Sequence, residues 1–237
     1  MFNQSFFDLK KISFPYDQSR FPGQASDERI LYITREHPLF LFLRLSFVFL
    51  VGLSIILAGS ILNRTLNVVF ISQPSALIIV TLSVFFLFVI VGAWWVFTLW
   101  KKSVAIVTNK RLIKFIYTTP SNRYNMSLPL EMVVDTSFHN RGLLSSYLKI
   151  GSITARSSAS SSGLATDDPS RINKKYFYIE NIQYAEDLQQ YLNKLINTLH
   201  KQPQKLANFR PFLANLKGEA REDFLRANYS QYAKKTK

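Results

Sequence analysis

The chain has 237 residues and no cysteine, and its 29 Lys and Arg outnumber 15 Asp and Glu for a formal charge of +14. The missing cysteines exclude disulfides, thiolate metal sites and thiol nucleophiles. The charge is zero over residues 1–37, +2 over 38–100, +7 over 101–202 and +5 over 203–237. The positive field therefore lies C-terminal to the apolar part of the chain, where it favours an anionic partner.

Residues 1–37 scatter apolar side chains (Phe2, Phe6, Phe7, Leu9, Ile12, Phe14, Phe21), interrupted by Pro15 and Pro22. They read as a segment that touches lipid or packs beneath a later domain. Two apolar blocks come next, at about 39–62 and 76–100, without a polar face. Each has roughly 24 residues, so as a helix it reaches about 36 Å at 1.5 Å per residue, more than the roughly 30 Å hydrocarbon core. In lipid the backbone must satisfy its own N–H and C=O groups, which selects helix. The first block starts too late and runs too long for a cleaved leader. Its single charge, Arg44, sits less than two turns from the entry end, within snorkelling reach of the headgroups.

The connection Asn63–Ser75 carries only Arg64, whereas Arg29 and Arg35 precede the spans and Lys101, Lys102, Lys110, Arg111 and Lys114 come after them. By the positive-inside bias both termini face the cytoplasm, in a multi-pass protein of the cell membrane. Trp94, Trp95 and Trp100 gather at the exit end, where an interfacial belt would hold them.

From Ser103 the pattern shifts to β-branched and aromatic residues. Strands are expected at 103–108, 111–117, 123–130, 132–138, 149–156 and 175–182, with tight turns at Asn109-Lys110 and 119–122 and a short helical turn at 142–148. Residues 157–173 form a serine-rich loop, either a solvated connection or a regulatory phosphorylation loop. Leu188, Tyr191, Leu192, Leu195, Ile196 and Leu199 keep one helical stripe, with Glu186 and Asp187 in the first turn and His200 and Lys201 in the last. The basic tail, 203–237, has Phe209, Phe212, Leu213, Leu216, Ala220, Phe224 and Leu225 at helical spacing, then Tyr229 and Tyr232. Such a helix lies on a membrane or packs on the domain, and the spacing leaves both open.

Five stretches carry a family resemblance: Glu28-Arg-Ile-Leu-Tyr-Ile-Thr-Arg-Glu-His-Pro38, Val107-Thr-Asn-Lys-Arg-Leu-Ile113, Leu128-Pro-Leu130 with Val133-Val-Asp135, Leu143 to Thr154, and Ile179-Glu-Asn-Ile182. Together they cover roughly residues 28–200. The chain resembles the bacterial pleckstrin-homology-like membrane proteins typified by the YdbS-like proteins, a family long described as a domain of unknown function. The resemblance implies a two-helix transmembrane hairpin (38–102) followed by a mainly β, pleckstrin-homology-like domain (103–202), a bent antiparallel sheet or barrel capped by a C-terminal helix. It supplies neither a reaction nor a ligand.

His37, His139 and His200 are dispersed, and no metal motif, nucleophile elbow or phosphate-binding glycine loop occurs. The chain reads as no enzyme and needs no cofactor or metal. Lys101, Lys102, Lys110, Arg111, Lys114 and Arg123 form a candidate site for anionic lipid headgroups, or a set of solvated strand and turn positions. Nucleic acid is set aside for want of a motif. The favoured role is a membrane-anchored interaction module binding anionic lipid or a protein partner. The alternative is a homo-oligomeric pore or transport subunit, motivated by Arg44 and by Gly52, Gly59 and Gly92, since small residues let helices approach.

Overall fold

A computed structural model describes residues 20–69, 74–140, 142–158, 176–214, 216 and 218–228. The chain divides into two compact units: Pro38–Lys101 with the loop Tyr117–Asn122, and the remainder.

The first unit is a pair of helices, α1 (Pro38–Val69) and α2 (Pro74–Lys102). Both run further than the apolar blocks suggested, so most of the expected thirteen-residue loop is helical; residues 70–73 lie outside the described set. Stretches of 28 residues (Pro38–Thr65) and 26 residues (Leu77–Lys102) are long and apolar enough to cross a membrane. Only 6% of the most apolar window of each is buried. A core helix of a soluble protein would be covered, whereas here Phe42, Phe47, Leu57, Ile79, Leu87 and Ile90 are exposed. In water that surface would drive association; in lipid it is the matching solvent. Arg44 is also exposed.

The glycines of the spans are occupied within the hairpin. A Cβ at Gly52 would stand 2.9 Å from Val89 Cγ2, one at Gly92 would stand 2.7 Å from Val48 Cγ1, and one at Gly59 would collide with Thr81. The close approach that motivated an oligomeric pore is thus made between α1 and α2 of one chain.

The second unit holds two sheets, ordered β1-β2-β3-β4 and β5-β6-β7. The strands are β1 (Ile30–Thr34), β2 (Val104–Thr108), β3 (Arg111–Tyr117), β4 (Arg123–Pro129), β5 (Val133–His139), β6 (Ile150–Ser157) and β7 (Tyr176–Gln183). The pairs β1–β2, β2–β3, β5–β6 and β6–β7 are antiparallel. Six strands lie within a residue or two of their predicted positions. The exception is β1, to which sequence reading assigned no element. It pairs with β2 across the whole length of the spans, with Thr34 opposite Ala105. The hairpin is therefore an insertion between two neighbouring strands.

A short helix, α3 (Leu143–Tyr147), joins β5 to β6. The terminal helix of the core, α4 (Ala185–Lys201), buries Leu188, Leu192 and Leu195 of the stripe its periodicity predicts, together with Ala185, while Tyr191, Ile196 and Leu199 pack partly buried against the core. The buried side chains join Ile106, Leu112, Leu130, Ile153, Phe177 and Ile182 in one core.

The tail packs on this core, and its helical spacing is realised only in part. Pro203–Asn208 is a 3-10 helix, 209–214 is irregular, and α5 covers Gly218–Asn228. Leu206 and Phe212 belong to the core, and Leu213 and Leu225 form a satellite cluster. The Phe212 N–H donates to Leu31 O at 2.9 Å, and its ring meets Tyr32 edge-on at 4.8 Å. Tyr191 donates its hydroxyl to Arg210 O at 2.6 Å. Phe212 thereby covers part of β1, which is the edge strand of its sheet. Met1–Ser19, most of the serine-rich loop and residues 229–237, with Tyr229 and Tyr232, lie outside the described residues.

Two outcomes test this packing. Phe212→Ala should cost about 3–5 kcal/mol of domain stability in denaturant titration of the detergent-solubilised protein, a loss that a tail merely resting on lipid would not produce. Gly59→Leu should destabilise the hairpin by about 1–3 kcal/mol through overpacking, read as a lower unfolding midpoint in SDS titration, with Gly59→Ser affected less.

Candidate functional site

The most specific stretch of the sequence, Thr108-Asn-Lys-Arg111, forms the β2–β3 turn. Asn109-Lys110 forms the tight turn expected there. Its backbone is not left-handed, since among the described non-glycine residues only Lys149, Asn181 and Tyr184 have positive φ. The turn is closed by the Thr108 side chain, whose Oγ1 accepts from the N–H groups of Lys110 (3.1 Å) and Arg111 (2.9 Å).

That hydroxyl lies 2.8 Å from Glu28 Oε1 and 2.9 Å from Arg111 O, and has one proton to donate between them. Glu28 has a side chain only 1% exposed, and it receives a fork from Arg111: Nε donates to Oε1 at 2.9 Å and Nη2 to Oε2 at 2.9 Å. The Ala25 N–H donates to Oε2 at 3.2 Å. Arg111 Nη2 also donates to Gly23 O, and the guanidinium lies 5.8 Å from the centroid of the Phe21 ring. Asn109 completes the tie: its Oδ1 accepts from the Arg29 N–H at 2.7 Å and its Nδ2 donates to Asp27 O at 3.2 Å.

Burial alone would raise the Glu28 pKa. The hydrogen bonds from Arg111, Thr108 and Ala25 and the Arg111 charge outweigh it and hold the carboxyl below its ordinary value of 4.5. The Glu28 carboxylate raises Arg111 in turn. The pair is ionised at neutral pH, and its hydrogen bonds satisfy the buried acceptor.

Most of the proposed cationic site is engaged in similar ways. Lys110 pairs with Asp27 at 2.5 Å on the surface, and that contact lowers the Asp27 pKa. Lys114 on β3 pairs with Glu180 on β7 at 3.0 Å. The Arg123 guanidinium lies over the Phe115 ring at 5.5 Å. Lys101 and Lys102 are the last two residues of α2. The β2–β3 turn is thus not a cradle of bare cations: a carboxylate faces each of Lys110, Arg111 and Lys114. Arg111 in particular spends its guanidinium fork on the buried Glu28. Sequence reading missed Glu28 and Asp27, because the match between an acid and a cation 83 residues apart has no local signature.

The Ile179-Glu-Asn-Ile182 stretch is likewise architectural. Asn181, at φ 53°, sits in a β-bulge where β7 passes β6. Its N–H donates to Ser152 Oγ at 3.1 Å, its Nδ2 to Glu36 Oε1 at 2.9 Å, and its carbonyl accepts from the His37 N–H at 2.8 Å. Among the described residues no three His, Asp or Glu side chains converge to hold a metal ion.

No family model matches the chain, and no curated protein or solved structure does.

The Glu28 tie predicts an acid-sensitive fold. A carboxyl held below 4.5 contributes stability that is present above pH 4.5 and lost as pH falls through its folded-state value. Glu28→Gln should cost about 2–4 kcal/mol at pH 7. It should also flatten the decline of the melting temperature on acidification below pH 4.5. Arg111→Lys, which keeps the charge and loses the fork, should destabilise nearly as much. Thermal unfolding of the solubilised protein across pH 3–7 measures all three outcomes.

Proposed function

We propose that this chain is a membrane-anchored, pleckstrin-homology-like interaction module. In this reading the hairpin spans the cell membrane with both termini in the cytoplasm, and the β domain is presented at the inner surface to anionic lipid. The supporting observation is the strand order. Two sheets followed by a packed helix agree with the bent sheet capped by a C-terminal helix that the resemblance implies, and the spans enter between β1 and β2. Two adjacent strands then lead directly into and out of the membrane anchor, which ties the domain to the bilayer at two points.

The lipid contact in this reading shifts away from the β2–β3 turn. Lys101 and Lys102 end the second span and so meet the headgroup layer by chain position, where each cation contributes about 1 kcal/mol. Detergent-solubilised full-length protein should bind short-chain phosphatidylglycerol in preference to phosphatidylcholine in native mass spectrometry, and the preference should weaken with salt. Replacing both lysines by alanine should lower the anionic affinity about tenfold or more, whereas Arg111→Ala should act through stability. Equal binding of both lipids would sink the lipid reading and leave a protein partner as the ligand. Sidedness is checked by labelling: Gln73→Cys should react with an impermeant maleimide on intact cells and Ser103→Cys should not.

A further inference from the structure

The β5–β6 connection holds the most exposed large apolar side chains described outside the spans. Leu143 is 92% exposed and Tyr147 86% exposed. They stand four residues apart on α3, so they share one face. The turn that carries them is closed on both sides. It opens at Gly142, with φ 92°, and ends at Lys149, with φ 54°. The Ser146 N–H donates to Gly142 O at 3.1 Å, Asn140 Nδ2 donates to Ser146 Oγ at 3.2 Å, and the Tyr184 N–H donates to Lys149 O at 2.9 Å. Two apolar side chains are thus held outward by an ordered backbone.

The position of this turn within the domain identifies what covers it. His139, the last residue of β5, is opposite Ser152, and Ser152 is bonded to Asn181. Asn181 is bonded in turn to Glu36 and His37, the residues immediately before the first span begins at Pro38. The connection 140–149 therefore leaves the sheet at the end of the domain where the chain departs for the membrane. Its charge suits that place: between Thr136 and Arg156 the sequence has Arg141, Lys149 and Arg156 and no acid. An apolar pair, one member a tyrosine, with cations and no acid among its near sequence neighbours, is the composition that partitions into an anionic interface.

We propose that Leu143 and Tyr147 insert into the headgroup–acyl boundary of the bilayer that holds the spans, as a third contact between the β domain and the membrane. The inference rests on the proposed function only in that α1 and α2 cross a bilayer; it does not need recognition of lipid charge.

The chain has no cysteine, so single-cysteine labelling requires no background substitutions. Full-length Leu143→Cys, Tyr147→Cys, Val134→Cys and Leu57→Cys proteins would be spin-labelled in vesicles of pure phosphatidylcholine and in vesicles with one-third phosphatidylglycerol. Val134 is exposed at the opposite end of β5, and Leu57 is exposed on the first span. Power saturation should show labels at 143 and 147 several-fold more accessible to oxygen relative to a water-soluble nickel chelate than the label at 134. Labels at 143 and 147 as open to the chelate as the one at 134, in both vesicles, would overturn the insertion. Burial in both vesicle types would support it while counting against recognition of lipid charge, and burial only with phosphatidylglycerol would support both. A label at 57 open to the chelate would overturn the spans and the insertion together.

Discussion

A buried carboxylate tied to an arginine 83 residues away is the constraint on which the domain depends. Glu28 lies just before the spans, and Thr108 and Arg111 lie just after them. Their hydrogen bonds join the two ends of an inserted hairpin across one strand pair. Without that tie, β1 would be a five-residue edge strand connected to its sheet through some seventy residues of helical hairpin, and closing so long a connection carries an entropic cost. With it, the apolar β1–β2 ladder is pinned at its outer end by charge-assisted bonds. At its inner end it is pinned by the bonds of Asn181 to Glu36 and His37.

The same arrangement changes the meaning of the basic residues. A +14 chain suggests a surface waiting for anions. Yet at and beside the β2–β3 turn Lys110, Arg111 and Lys114 each have a carboxylate of the protein itself within 3.0 Å. The small residues of the spans obey a similar logic. Gly52, Gly59 and Gly92 read as surfaces for other helices, but they are filled by Phe85 and Val89, Thr81, and Val48 of the same chain. In both places an internal partner takes a group that composition offered to an external one.

Spans, six of seven strands and α4 were legible because each is written in local periodicity: unbroken apolar runs, β-branched alternation, and a stripe from Leu188 to Leu199. The strand β1 was not, because no tight turn links it to a neighbouring strand: its partner β2, equally buried on both faces, lies beyond the hairpin, whereas β2 is marked by its turn into β3. The tail was legible only as apolar. Whether Phe212 faced lipid or protein hung on the edge of that unforeseen strand, while Phe209 meets Tyr191 of α4 and Leu225 packs with Leu213.

The amino-acid sequence by itself determined the membrane-length helices, the strand-rich character of the region C-terminal to them and the surplus of positive charge, since these are sums over neighbouring residues. Tertiary structure alone decided that Glu28 holds Arg111, that the helical hairpin interrupts a sheet, and that Leu143 and Tyr147 stand out from the end where the chain leaves for the two long helices. Those facts belong to pairs distant along the chain, and only folding brings such pairs within the few ångströms at which hydrogen bonds and packing act.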